Sequence, residues 1–144
     1  MLAHCDSLAY FLLSEFSLSD LQTPVPLSID DLVEIKETGL WDITALLLGR
    51  RIRFRVQGRS MLPLLDPQDL VLVMPGSTVS VGDLIVLRHP FKLDVTLVKY
   101  VAFVNEHGSV YVLGVNLQES TDSRTIGWIL PKLILGRISS RIRP

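Results

Sequence analysis

Lys99 lies mid-run in Asp94-Val95-Thr96-Leu97-Val98-Lys99-Tyr100-Val101-Ala102-Phe103-Val104, a stretch with strand composition. Side chains alternate faces along a strand, so Lys99 is expected to share a face with Val95, Leu97, Val101 and Phe103. Burial among apolar residues disfavours an ammonium, and a neutral lysine is a general base. At a pKa of ~10.4 a lysine is only about 0.1% neutral near pH 7.4, and lowering its proton affinity a hundredfold costs ~2.7 kcal/mol. The nucleophile for such a base is Ser60, in Gly58-Arg59-Ser60-Met61-Leu62-Pro63. Gly58 permits positive φ or a close backbone approach, and Pro63 stiffens the residues after it. A serine on so tight a turn presents its hydroxyl, and neighbouring N–H groups can face an oxyanion. A Ser–Lys pair is a known variant of the serine nucleophile. Each piece also has an ordinary reading: a lysine that snorkels to the sheet edge, and a turn hydroxyl that bonds locally.

A second polar cluster spans Gly114-Val115-Asn116-Leu117-Gln118-Glu119-Ser120-Thr121-Asp122-Ser123-Arg124-Thr125-Ile126-Gly127, too long for a simple hairpin. Asp122 and Arg124 read as an ion pair that fixes this loop, and Ser120 as a hydroxyl able to orient an amine. The ordinary alternative is a surface salt bridge worth ~0–1 kcal/mol.

The elements that must position these residues change in texture along the chain. Residues 1–50 read as a helical extension: Leu8, Phe11, Leu12 and Phe16 fall at helical spacing. Ser28 or Asp30 would cap a helix holding Leu32, Val33 and Ile35 and ending near Gly39, and residues 41–48 suggest another short helix. Residues 51–144 read as an all-β domain, with strands expected over 51–56, 70–74, 84–87, 95–104, 110–113 and 128–135, and a last one over 137–143. Asp66-Pro67, Pro75-Gly76, Gly82-Asp83, His89-Pro90 and Glu106-His107-Gly108 mark the turns between them.

The chain has 144 residues, 48% of them hydrophobic, which suits one domain with a real core. No apolar run approaches the ~20 residues of a membrane helix, and the start lacks the basic and apolar regions of a signal peptide. Cys5 is the single cysteine, so no internal disulfide forms; a reducing, cytoplasmic setting is expected. Residues 1–50 carry eight acidic and two basic side chains, and residues 51–144 carry seven and twelve. Such asymmetry marks either an interaction surface or separately solvated faces of one fold. His4-Cys5-Asp6 stands alone and does not make a metal site, so neither a metal nor a cofactor is expected.

In order, Gly-x-Ser-Met-x-Pro at residues 58–63, Gly82-Asp83, Val98-Lys99 and the Gly-x-Asn to Asp-Ser-Arg stretch at residues 114–127 resemble the type I signal peptidases. The resemblance covers about residues 52–138. It implies a mainly β fold of the signal-peptidase and LexA-like kind and a serine endopeptidase with Ser60 as nucleophile and Lys99 as general base. Ser120 would hydrogen-bond the lysine amine, Asp122 and Arg124 would brace the site, and Gly58 and Met61 would shape the nucleophile turn. Several positions depart from the pattern. Val115 stands where an Asp is frequent and Tyr100 where an Arg is. Gly58 occupies the place of a serine that assists the oxyanion in some members, leaving that work to backbone donors such as the Ser60 N–H. The family's membrane anchor is replaced by an acidic segment. Within the family the chain is most similar to the anchorless branch that matures nickel-type superoxide dismutase.

The resemblance implies a precursor protein as partner, engaged through its N-terminal leader as an extended strand. No nucleic acid is expected, and membrane contact would be peripheral. The alternatives are a signal peptidase acting on secretory precursors, a LexA-type self-cleaving repressor, and a non-catalytic peptide-binding β module using Arg51, Arg53, Arg55, Arg137, Arg141 and Arg143. An acidic first fifty residues have the wrong sign for a DNA-binding module.

Overall fold

The computed structural model describes residues 26–32 and 34–144. Seven strands form one sheet: β1 (Lys36–Glu37), β2 (Ile52–Arg55), β3 (Leu70–Met74), β4 (Leu84–His89), β5 (Lys92–Val104), β6 (Val110–Leu113) and β7 (Ile134–Ile142). Helix α1 (Leu40–Leu47) precedes β2, and a single helical turn, α2 (Ser123–Ile126), lies between β6 and β7. The spatial order is β2-β3-β7-β4-β5-β6, antiparallel throughout, with β1 added in parallel to β7. β7 is the hub. It holds β3 along one edge, and along the other β4 against its first half and β1 against Ser140 and Arg141.

The central strands are apolar on both sides because both sides are covered. Leu84 and Val86 join Val71, Val73, Tyr100, Ala102 and Leu113 in one cluster, while Ile85 and Leu87 join Val101, Val110, Val112, Ile126 and Ile129 in another. This is the period-2 division of a strand between two faces. The first cluster is closed by Leu32, Val56, Met61 and Leu65, so the Ser60 turn and the chain before β1 both anchor in the same core.

The fold is mainly β, as the sequence implies, with three differences in its elements. Among the described residues the helix expected to end near Gly39 is not present; a 3-10 turn at Ile29–Asp31, with Ser28 at its cap, precedes β1. Pairing with β7, burial of Leu32 and packing of half-buried Ile35 against the core override local helix preference there. The strand expected over 128–135 is broken. Ile129 makes an isolated bridge to Val110, a 3-10 turn occupies Pro131–Leu133, and the strand begins at Ile134 and runs on as β7. Pro131 has no N–H to give to a ladder, which fits that break. Finally, Ala102 is an extra residue in β5, because Val101 faces Val112 and Phe103 faces Tyr111. That bulge turns Phe103 onto the cluster of Tyr100 and Ala102, away from the Lys99 face. The expected Trp41 helix forms as α1; the proposed helix at Leu8 to Phe16 lies outside the described residues.

Candidate active site

The turn that carries Ser60 leaves β2 under tight control. Val56 N–H donates to the Asp69 carbonyl at 2.8 Å and Gln68 N–H to the Val56 carbonyl at 2.9 Å, extending the β2–β3 pairing by a residue. Gly58 then takes φ +75°, a region open to glycine and costly for other residues. Met61 and Leu65 are buried behind Ser60, and both Leu64 and Leu65 donate N–H bonds to the Met61 carbonyl. Among the described residues the Ser60 N–H reaches no acceptor, which leaves it available to an oxyanion.

Register places Lys99 opposite Ile85, between Leu97 and Val101 on one face of β5. The residue is 2% exposed, and its ammonium donates to Ser60 Oγ at 2.7 Å. Burial lowers the Lys99 pKa from 10.5 to about 8; the Asp122 carboxylate draws it up and the Arg124 guanidinium pushes it down. The expected apolar face is therefore shorter than the alternation predicts. Leu97 and Val101 supply it, Val95 is at the exposed end of the strand, and Phe103 has been turned away by the bulge.

The loop after β6 locks these two residues together. Asn116 N–H donates to the Ser60 carbonyl at 2.9 Å. A Cβ on Gly114 would lie 2.7 Å from that same carbonyl oxygen and on top of the Ser120 side chain, so only glycine fits. Asp122 is fully buried and takes Arg124 in a forked pair, Nε at 2.8 Å and Nη2 at 3.0 Å, plus the Gly114 N–H at 3.1 Å. Arg124 also donates to the Leu117 carbonyl at 2.7 Å, and Val112 N–H donates to Ser123 Oγ at 2.8 Å. Burial alone would raise the Asp122 carboxyl; Arg124 and the surrounding donors outweigh it and hold it below the usual value. The pair is thus half inside the protein, with Asp122 covered and Arg124 43% exposed.

Ser120 departs from expectation. Among the described residues its Oγ is buried without a hydrogen-bond partner and makes no bond to Lys99. It lies close enough to the Asp122 carboxylate to favour the charged form, though not in hydrogen-bond geometry.

Ser60, Met61 and Lys99 line a cleft of about 400 Å³ walled by residues 54–57 on one side and 94–98 on the other. Among the described residues β2 pairs only with β3, and β6 begins to pair with β5 only at Tyr100. Both walls therefore carry unpaired strand edges. The cleft and the clamp from Gly114 and Asn116 were missed by sequence reasoning; the signal for the clamp was the Gly-x-Asn spacing, which reads as plain loop until its partner is known. No group of three or more His, Cys, Asp and Glu side chains able to hold a metal occurs among the described residues, and His4-Cys5-Asp6 lies outside them. No described helix is long and apolar enough to cross a membrane.

A mainly β domain with a buried lysine on a turn serine defines a class, the serine peptidases of the LexA and signal-peptidase superfamily. Within it, the Peptidase S24-like family model matches residues 45–122, more than half of the chain, and the protein belongs to that family. The match takes in Ser60, Lys99, Ser120 and Asp122 and stops short of Arg124. No curated protein matches the chain.

Proposed function

We propose that the protein is a Ser–Lys endopeptidase that removes an N-terminal leader from a precursor protein. The observation that carries this is the 2.7 Å bond between a buried lysine amine and the Ser60 hydroxyl. With a pKa of about 8, roughly a fifth of Lys99 is neutral near pH 7.4, against about 0.1% for a free lysine. Neutral Lys99 takes the Ser60 proton as Oγ attacks the scissile carbonyl, and the Ser60 N–H meets the oxyanion. The protonated amine gives its proton to the departing amine. Lys99 then takes a proton from water as the water attacks the acyl-enzyme, and gives it to Ser60 Oγ as that oxygen leaves. An extended peptide would pair with the open strand edges on either side of the cleft.

For the substrate, the reading rests on the resemblance of the boxes at residues 58–63, 82–83, 98–99 and 114–127 to the branch that matures nickel-type superoxide dismutase, and so names the precursor of that enzyme. Labelling by an acylating serine-hydrolase probe, mapped to Ser60 and lost in Ser60→Ala, tests the enzyme; its absence from folded protein would favour a non-catalytic module. Mixing active protein with that precursor and reading the new N-terminus by mass spectrometry tests the substrate. Cleavage of secretory precursors instead would move the reading to a signal peptidase, and cleavage of the chain itself to a LexA-type activity.

A further inference from the structure

Helix α1 turns its apolar side outward. Helical residues advance by about 100°, so Leu40, Trp41, Thr44, Leu47 and Leu48 fall within an arc of ~120°. Leu40, Trp41, Leu47 and Leu48 are 83%, 88%, 82% and 66% exposed. No residue of the helix is buried, and its Leu40, Trp41, Leu47 and Leu48 side stands out from the body as a ridge. Single exposed apolar side chains are ordinary, but four on one ridge form a patch.

The charges around this ridge are sorted. Asp42, its only acidic residue, is half-buried and is engaged by Arg51 at 3.7 Å and by Ser139 Oγ at 3.5 Å. Just beyond the helix, Arg50 and Arg53 are exposed and have no carboxylate within 4.0 Å among the described residues. Arg143, 57% exposed and paired with Glu37, lines the same shallow pocket as Ile43 of α1.

We infer that α1 seats the protein on an anionic lipid surface. The Leu side chains would enter the acyl boundary, the Trp41 ring would lie at headgroup level, and Arg50 and Arg53 would meet lipid phosphates. A fluid surface conforms to a protruding ridge, whereas a protein partner must offer a matching groove. Eight residues make a helix of about 12 Å, which rests on a bilayer and does not cross it. Lipid seating is independent of the dyad: it sets where the protein sits, not what it cuts.

The test uses the full chain with Trp128→Phe, leaving Trp41 as the only tryptophan. It is mixed with phosphatidylcholine vesicles with or without phosphatidylglycerol. The expected results are co-sedimentation with the anionic vesicles, a blue shift of Trp41 emission, and weakening by raised salt. In the parent chain, Leu47→Ser and Trp41→Ser should each weaken sedimentation at least tenfold, and Arg50→Glu with Arg53→Glu should remove the preference for anionic lipid. Three results overturn the inference: no binding at millimolar anionic lipid; equal binding to both vesicle types with the arginine variants unaffected; or Trp41 emission already blue-shifted and shielded from iodide without lipid. The last means that protein covers the face, and its concentration dependence tells a second copy from the same chain.

Discussion

Lys99→Met should make the protein more stable near neutral pH while abolishing catalysis. Burial that lowers the Lys99 pKa from 10.5 to about 8 is a cost borne by the folded, protonated state, and the two values convert to about 3 kcal/mol. The sign follows from proton binding. Below pH 8 both folded and unfolded chains hold the proton and the folded chain bears the full cost. Between pH 8 and 10.5 the folded chain has released it and the unfolded chain has not, so wild-type stability rises with pH. Methionine fills similar space without charge, but gives up the hydrogen bond to Ser60 Oγ, worth about 1 kcal/mol. The net gain at pH 7 is therefore about 2 kcal/mol, shrinking to about zero by pH 10. Higher pH is a poor range for the comparison, because burial raises the Tyr100 phenol and its contribution is lost as pH climbs above 10. Urea melts of both proteins at pH 7, 8, 9 and 10, with equal m values, give the difference directly. A Lys99→Met protein less stable than wild type at pH 7, with a gap that does not change with pH, would refute the reasoning; it would mean that the ammonium is well solvated or paired.

Ser60→Ala and Lys99→Ala should each abolish cleavage of any accepted precursor while leaving the far-UV spectrum intact, since members of one catalytic unit fail together; more than about a tenth of wild-type turnover in Lys99→Ala would remove it as the base. The kcat/KM profile should rise with a pKa of about 8, and a rise near 6.5 lost in His89 or His107 variants would name another base. Asp122→Asn should lower the Lys99 pKa and move that profile to lower pH, whereas Arg124→Gln should move it to higher pH. Both should also lose stability, on the order of 3–5 kcal/mol if Arg124→Gln strands the buried carboxylate, as urea melts would register. Gly114→Ala should reduce both melting temperature and turnover because its Cβ meets the Ser60 carbonyl, and a protein normal in both would show that the loop can retreat.

How much could be read from the chain depended on whether a signal was local. The central strands were legible because β3 and β4 are buried on both faces and so read as unbroken apolar runs. The meeting of Ser60 and Lys99 was legible because the strand carrying Lys99 and the turn carrying Ser60 each have their own motif. What failed depended on partners elsewhere. β1 is two residues long and exists because β7 offers an edge. The Ala102 bulge is a mismatch between two strands, invisible in either alone, and it removed Phe103 from the lysine's face. The Ser120 expectation differs in a related way, because its buried Oγ reaches no hydrogen-bond partner, the amine included, among the described residues.

The placement of Asp122 explains how the loop can be pinned by a buried charge so close to a lysine whose pKa stays lowered. A lone carboxylate there would raise the Lys99 pKa and refill it with a proton. Arg124 grips both carboxylate oxygens and pushes the lysine the other way, so the two act oppositely on Lys99 and burial remains the largest influence. The pair thus braces the segment that holds Ser60 through Asn116 without giving the amine a lasting counter-charge. Lysine substituted for Arg124 would keep the charge but lose the forked geometry and the bond to the Leu117 carbonyl. If the pair's role is bracing, Arg124→Lys should leave the pKa of the rate profile near that of wild type while lowering stability and turnover. If its role is only electrostatic, all three should be preserved, and the profile and a urea melt together separate the two.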